Sequence, residues 1–157
     1  MRHGDEISDY AVSSLGVVEE LANEPTKNAK SLGLFDDTGR CHAICHANVT
    51  SLPGYEKPVL RIRHLLLAPD YDYGHLDASD YARALTSVFS NVIGLAFGEM
   101  KAMHIKFHLR SPGDVSFFGA LTDALSKIPT FRAVHMRGAW LYLDLSEDSH
   151  FGAGATQ

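Results

Sequence analysis

The chain has 157 residues, 45% of them hydrophobic, with 14 Lys and Arg against 19 Asp and Glu for a net charge of −5. That length suits one domain able to bury roughly two-thirds of its unfolded surface without disulfides or metal. No dense Lys/Arg run points to nucleic acid or an anionic membrane, no apolar run nears the roughly 18 residues of a membrane span, and Met1 to Glu6 lack a secretory signal's apolar core, so a cytoplasmic protein is expected.

Ile7, Ala11, Leu15, Val18 and Ala22 recur at helical spacing, with Asp5 or Ser8 as cap and Asn23-Glu24-Pro25 as the stop. Lys30 to Phe35 and Arg40 to Thr50, on either side of Asp36-Asp37-Thr38-Gly39, predict a β-hairpin. Its second arm holds both cysteines, Cys41 and Cys45. Four strand positions separate such residues by about 13 Å, and a disulfide needs Cα atoms within about 7 Å. Free thiols in a reducing compartment are expected. His42 and His46 are spread in the same way, and zinc ligands must all lie within about 2.3 Å of the ion. The run Cys41 to His46 therefore predicts a half-buried strand rather than a metal site.

Val59 to Leu67, closed by Ala68-Pro69, predicts a central strand whose end is buried on both faces. Asp70 to Ser79 reads as a polar, aromatic loop. From Asp80 to about Met100 a helix is expected, with Tyr81, Leu85, Val88, Phe89, Val92, Ile93 and Ala96 as its apolar positions and Asp77 or Ser79 as its cap. Ala102 to Arg110 alternates, Met103, Ile105, Phe107 and Leu109 against His104, Lys106, His108 and Arg110. The second row is the strongest local positive density in the chain, expected to be solvated or paired with acids such as Glu99 or Asp114.

Ser111-Pro112-Gly113-Asp114 opens a further helix, with a cap, a proline in the first turn and an acid three residues on. Phe118, Leu121, Leu125 and Ile128 form its buried stripe, and Pro129 stops it. Ala133 to Leu145 reads as one extended segment with a bulge at Gly138, in which Trp140, Tyr142 and Asp144 alternate with Leu141, Leu143 and Leu145. Residues 1–145 are expected to form a single domain, and Ser146 to Gln157 a disordered tail. Trp140, Tyr142, Phe117 and Phe118 suit a core by their spacing, or alternatively a ligand groove. No Walker loop, dinucleotide-binding glycine pattern or nucleophile elbow is present.

The order helix, hairpin, strand, helix, strand, helix, strand resembles that of the GNAT N-acyltransferase superfamily over about Lys30 to Leu145. Leu65-Leu66-Leu67-Ala68-Pro69-Asp70-Tyr71-Asp72-Tyr73-Gly74 resembles the family's central strand, its proline and the loop entering the cofactor helix. Phe131 to Leu145 resembles the closing strands. The resemblance implies an α/β (α+β) fold with a twisted, mixed, mainly antiparallel sheet flanked by helices. Val59–Leu67 and Ala102–Arg110 would be parallel neighbours, joined by a right-handed crossover and diverging at one end. A profilin-like or other α+β sandwich is the competing architecture.

The resemblance also implies acetyl-CoA or another acyl-CoA as co-substrate and a small amine as acceptor. The pantetheine arm would meet Leu66, Leu67 and Ala68, and the pyrophosphate would meet Tyr73, Gly74 and His75 at a helix N-terminus, where free amides and the helix dipole stabilise phosphate. Against the family's loop pattern Arg/Gln-x-x-Gly-x-Gly/Ala, this chain retains Gly74 alone and adds Asp70, Asp72 and Asp77, each repelling phosphate by on the order of 1 kcal/mol. The leaving-group tyrosine of the family's Asn-x-x-Ala-x-x-x-Tyr falls at Phe118, which has no proton to give. Ser116 and Tyr142 remain as substitutes. His64 on the central strand is the candidate general base, with His46 on the neighbouring hairpin strand. The departures favour a second reading, a binding or regulatory module that keeps the fold without catalysis and forms a homodimer through exposed sheet.

Overall fold

The computed structural model describes residues 12–13, 15–20, 22–23, 26–72, 77–109 and 111–147. The described residues between 12 and 23 are helical and are called α1; Ile7 and Ala11 of the expected stripe lie outside the described residues. There follow β1 (Ala29–Phe35), β2 (Cys41–Thr50), β3 (Val59–Leu67), a single turn α2 (Pro69–Asp72), α3 (Ala78–Phe97), β4 (His104–His108), α4 (Pro112–Leu125), β5 (Phe131–Arg137) and β6 (Trp140–Leu145). The strands make one sheet in the order β1-β2-β3-β4-β6-β5. Only β3 and β4 are parallel; the other neighbours are antiparallel. This is the mixed, mainly antiparallel sheet flanked by helices that the residue pattern implies. Among the described residues no helix is long and apolar enough to cross a membrane.

Strand alternation decides which face is dry. Ala43, Cys45 and Ala47 of β2, Leu60 and Ile62 of β3, Ile105 and Phe107 of β4, and Leu141, Leu143 and Leu145 of β6 are all buried. Helix α3 lays Leu85, Val88, Phe89, Val92, Ile93 and Ala96 on that face. Helix α4 joins it there through Phe118, whose ring centroid lies 5.6 Å from that of Phe89 and 5.9 Å from that of Phe107. Full burial of an aliphatic or phenyl side chain stabilises by about 1.5–3 kcal/mol, so this layer anchors the fold.

Several expectations are corrected. The segment Ala133 to Leu145 is two strands: β5 and β6 form a hairpin in which Arg137 faces Trp140 across Gly138-Ala139. Gly138 is in the turn at φ +58°, a conformation glycine adopts without Cβ strain. The expected loop after Pro69 contains the turn α2. Helix α4 ends at Leu125, so Ile128 lies past it, exposed, and is not part of a buried stripe. Between Asp77 and Ser79, the cap of α3 is Asp77: its Oδ1 accepts from the Asp80 N–H at 2.9 Å while Asp80 Oδ2 accepts from the Asp77 N–H at 3.4 Å. Past β6, Ser146 donates its N–H to the Thr130 carbonyl at 2.9 Å; residues 148–157 lie outside the described residues.

Candidate functional site

The feature that separates this sheet from an unbroken one is a fork. β3 and β4 pair only from Val59–His104 to Ile62–Phe107. Beyond Ile62, β3 continues to Leu67 held by β2 alone, while β4 ends at His108 and the chain turns into α4. A bulge marks the divergence. Ile44 faces Leu66 and His46 faces Arg63, so a two-residue step on β2 spans three on β3. His64 takes up the extra residue at φ +52°, a left-handed conformation that costs a non-glycine residue about 1–2 kcal/mol. Bulges bend the strand that carries them. With β4 gone, Leu65 is buried but Leu66 and Leu67 are only half-buried, rather than covered on both faces as expected.

The candidate residues fall around this fork. His64 is half-buried beside His46, ring centroids 6.4 Å apart. Ala68 donates its N–H to the His42 carbonyl at 2.9 Å. Ladder bonds alternate in direction along an antiparallel strand. Leu66 therefore shares the β2-facing orientation of Ala68, and Leu67 turns its peptide groups to the fork. Tyr73, Gly74 and His75 lie outside the described residues. Of the acids around that loop, Asp70 is ion-paired with Arg40, and Asp77 and Asp80 cap α3, with Arg83 at 3.3 Å from Asp80. The amides of the first turn of α3 are thus partly occupied by the chain's own carboxylates. Phe118 is 1% exposed in the aromatic core, so its position belongs to packing. Ser116 is exposed on α4, and Tyr142 stacks on His135 at 4.8 Å.

Two polar constructions at the mouth of the fork have no local sequence signal. In the first, Asp36 Oδ2 lies 2.9 Å from His42 Nε2, and His42 Nδ1 lies 2.8 Å from the Tyr71 hydroxyl. A carboxylate can only accept, so Nε2 carries the proton and Nδ1 accepts from Tyr71. Hydrogen bonds from Thr38 first, and from His42 next, hold the Asp36 carboxyl well below the usual carboxylate range. Burial and then the charge of Asp80 push the Tyr71 phenol upward, keeping it a donor. In the second, the Tyr81 hydroxyl of α3 donates to Asp114 of α4. Asp114 is 4% exposed, and its own N–H is taken by the Ser111 cap. The Tyr71 and Tyr81 rings, 6.4 Å apart edge to face, link the two constructions.

Of the β4 row His104, Lys106, His108, expected to be solvated or paired with acids such as Glu99 or Asp114, His104 pairs with a different acid, Asp144. His104 Nδ1 bonds Asp144 Oδ1 at 2.6 Å, Lys106 Nζ lies over the Tyr55 and Tyr142 rings at 4.9 and 5.1 Å, and His108 packs on Trp140 at 4.5 Å. Glu99 pairs with Lys30. Arg110 lies outside the described residues. Away from the fork, an open hollow of about 900 Å³ between the β1–β2 hairpin and α3 is lined by Leu32, Leu34, Cys45, Val88 and Val92 among others. Burial pushes the Cys45 thiol up to about 12, which leaves it almost no thiolate near neutral pH.

No protein-family model and no curated protein sequence matches this chain. Among solved structures it is similar to FeeM, an N-acyl amino acid synthase from uncultured soil microbes, at 13% identity and a TM-score of 0.41, over 88% of this chain and 89% of that one.

Proposed function

We propose that the chain is an acyl-CoA-dependent N-acyltransferase acting on a small amine, and the observation that supports this is the fork between β3 and β4. A bulged strand that leaves its parallel neighbour exposes peptide groups in the middle of the sheet, away from its edges at β1 and β5. An extended thioester arm is the kind of ligand that can pair with them, as an added strand would. Acyl-CoA would bring a thioester carbonyl and a thiolate leaving group. His64, held at the bulge where the strands part, is the group that would take the proton of the attacking amine. Leu67 would hold the arm. Tyr71 and Tyr81 are the protonated hydroxyls nearest the mouth in this reading.

A second reading is favoured by the self-capped start of α3 and by Phe118 lying in the core. Neither offers what a diphosphate or a departing thiolate needs, and a binding module without catalysis would account for both. Thermal denaturation with acetyl-CoA separates the two. Acetyl-CoA at a hundred times its dissociation constant adds about 2.7 kcal/mol of stability. The expected result is a raised melting temperature in millimolar acetyl-CoA, with His64→Ala retaining that shift while losing turnover. No shift at all favours the second reading, and a shift with full turnover in His64→Ala removes His64 as the base.

A further inference from the structure

The sheet face opposite α3 and α4 carries a group of basic side chains that no carboxylate among the described residues pairs with, apart from His104 with Asp144. The register sets Arg63 against His46, Arg61 against Asn48 on one side and against Lys106 on the other. These residues form a patch on three adjacent strands at the root of the fork. Cross-strand neighbours of this kind have Cβ atoms about 4.5–5.5 Å apart. Among the described residues neither Arg61 nor Arg63 has a carboxylate within ion-pairing distance. The acid on β6 that shares this face, Asp144, is engaged by His104 at 2.6 Å and Arg132 at 3.7 Å. A chain of net charge −5 thus gathers, among its described residues, cations without an ion-paired carboxylate at one place.

The second observation is independent of charge. Among the described residues, Arg61 Nε, Asn48 Oδ1 and His46 Nε2 are buried without a hydrogen-bond partner. Buried polar atoms in native proteins almost always have partners, because an unmet donor or acceptor loses its water for nothing in return. Three such atoms on neighbouring residues gather unmet donors and acceptors at one place. Two guanidinium groups ask for a planar oxyanion. The amide of Asn48 adds an acceptor suited to an N–H. On one side of the patch Lys106 Nζ lies 4.9 and 5.1 Å from the Tyr55 and Tyr142 ring centroids, and on the other the Ser31 hydroxyl of β1 donates to the Val18 carbonyl of α1 at 2.9 Å.

We propose that this patch of His46, Asn48, Arg61, Arg63 and Lys106 binds the carboxylate of the acceptor, so that the acceptor is an amine that also bears an acid group. The identification of the ligand as an acceptor rests on the acyltransferase reading; the anion site itself does not. The carboxylate sits on Arg61 and Arg63, and the nitrogen of the same molecule is directed toward His64, the residue next to Arg63. A simple amine finds only the cations and is repelled by them.

The test uses matched pairs that differ by one carboxylate: phenylalanine with phenethylamine, tyrosine with tyramine, and histidine with histamine. Each is titrated by NMR into the full chain at low salt without any thioester. The expected result is binding about tenfold or more tighter for the acid-bearing member of a pair, with that preference lost in Arg61→Gln and in Arg63→Gln. Arg63 is exposed, so Arg63→Gln carries the test if Arg61→Gln does not fold. Equal affinities within every pair, binding by neither member, or a preference that survives Arg63→Gln overturns the inference, since each means that ordered water completes these atoms instead. Acetyl-CoA binding without a carboxylate preference sinks this inference and leaves the acyltransferase standing. A carboxylate preference without acetyl-CoA binding sinks the acyltransferase and the acceptor role with it, and leaves the anion site standing.

Discussion

Asp114 is a carboxylate taken out of water, and what makes that tolerable is the Tyr81 hydroxyl donated to it from the neighbouring helix. Removing one partner of a buried hydrogen bond costs about 1–3 kcal/mol, because the other is left desolvated and unmet. Tyr81→Phe is therefore expected to lower the stability of the protein by that amount in urea denaturation, whereas an exposed change such as Ser116→Ala leaves the midpoint where it was. An unchanged midpoint in Tyr81→Phe would mean that Asp114 is satisfied from elsewhere. Neither role is visible in the local pattern. Tyr81 fits the apolar stripe of its helix, and Asp114 sits where a capping acid belongs. Their meeting joins positions 33 residues apart, which periodicity within one helix cannot reveal. The same holds for Asp36, His42 and Tyr71, whereas His46 and His64 were legible as neighbours once two adjacent strands were assumed.

At the scale of elements, the start of α3 has two jobs that compete. Asp77 and Asp80 satisfy each other's amides there, which fixes the helix, and in doing so they occupy the donors an anion would use. Replacing an N-cap Asp by Ala costs about 1 kcal/mol. Asp77→Ala is expected to lower the thermal midpoint accordingly and, if the fork receives acyl-CoA, to tighten acetyl-CoA binding, because a negative charge leaves and an amide is freed. Loss of stability with weaker binding would show that the cap orders the site rather than blocking it. The parallel pair followed from the family resemblance, whereas the first hairpin, the central strand, the two long helices and a cap for α3 at Asp77 or Ser79 were readable because they depend on spacing along the chain. The β5–β6 hairpin was not: a two-residue turn with a lone glycine, Gly138-Ala139, leaves the strand alternation almost uninterrupted. The bulge at His64 was hidden for a similar reason, since no glycine or proline announces it.

For the whole molecule, the gathering of cations on one face has a consequence for acid stability. Burial first, then the nearby His64, Arg63 and Arg61, lower the affinity of His46 for a proton in the folded protein. In the unfolded chain an ordinary histidine titrates at about 6.5. Just below that pH the unfolded state binds more protons than the folded one, so stability rises with pH. The His46 contribution is fully present above about 6.5 and is lost as pH falls through the lower folded value. Asp36, held far below its ordinary 3.8, contributes with the same sign but at much lower pH, because its loss begins only where unfolded carboxylates protonate. The two are therefore separable along one titration. Unfolding free energy measured from pH 8 down to pH 3 is expected to fall below about 6.5, and His46→Gln to flatten that part of the curve while leaving the fall at about pH 4 in place. An unaltered slope in His46→Gln would show that neither burial nor the neighbouring cations hold His46 below its ordinary value, and that other groups carry the fall.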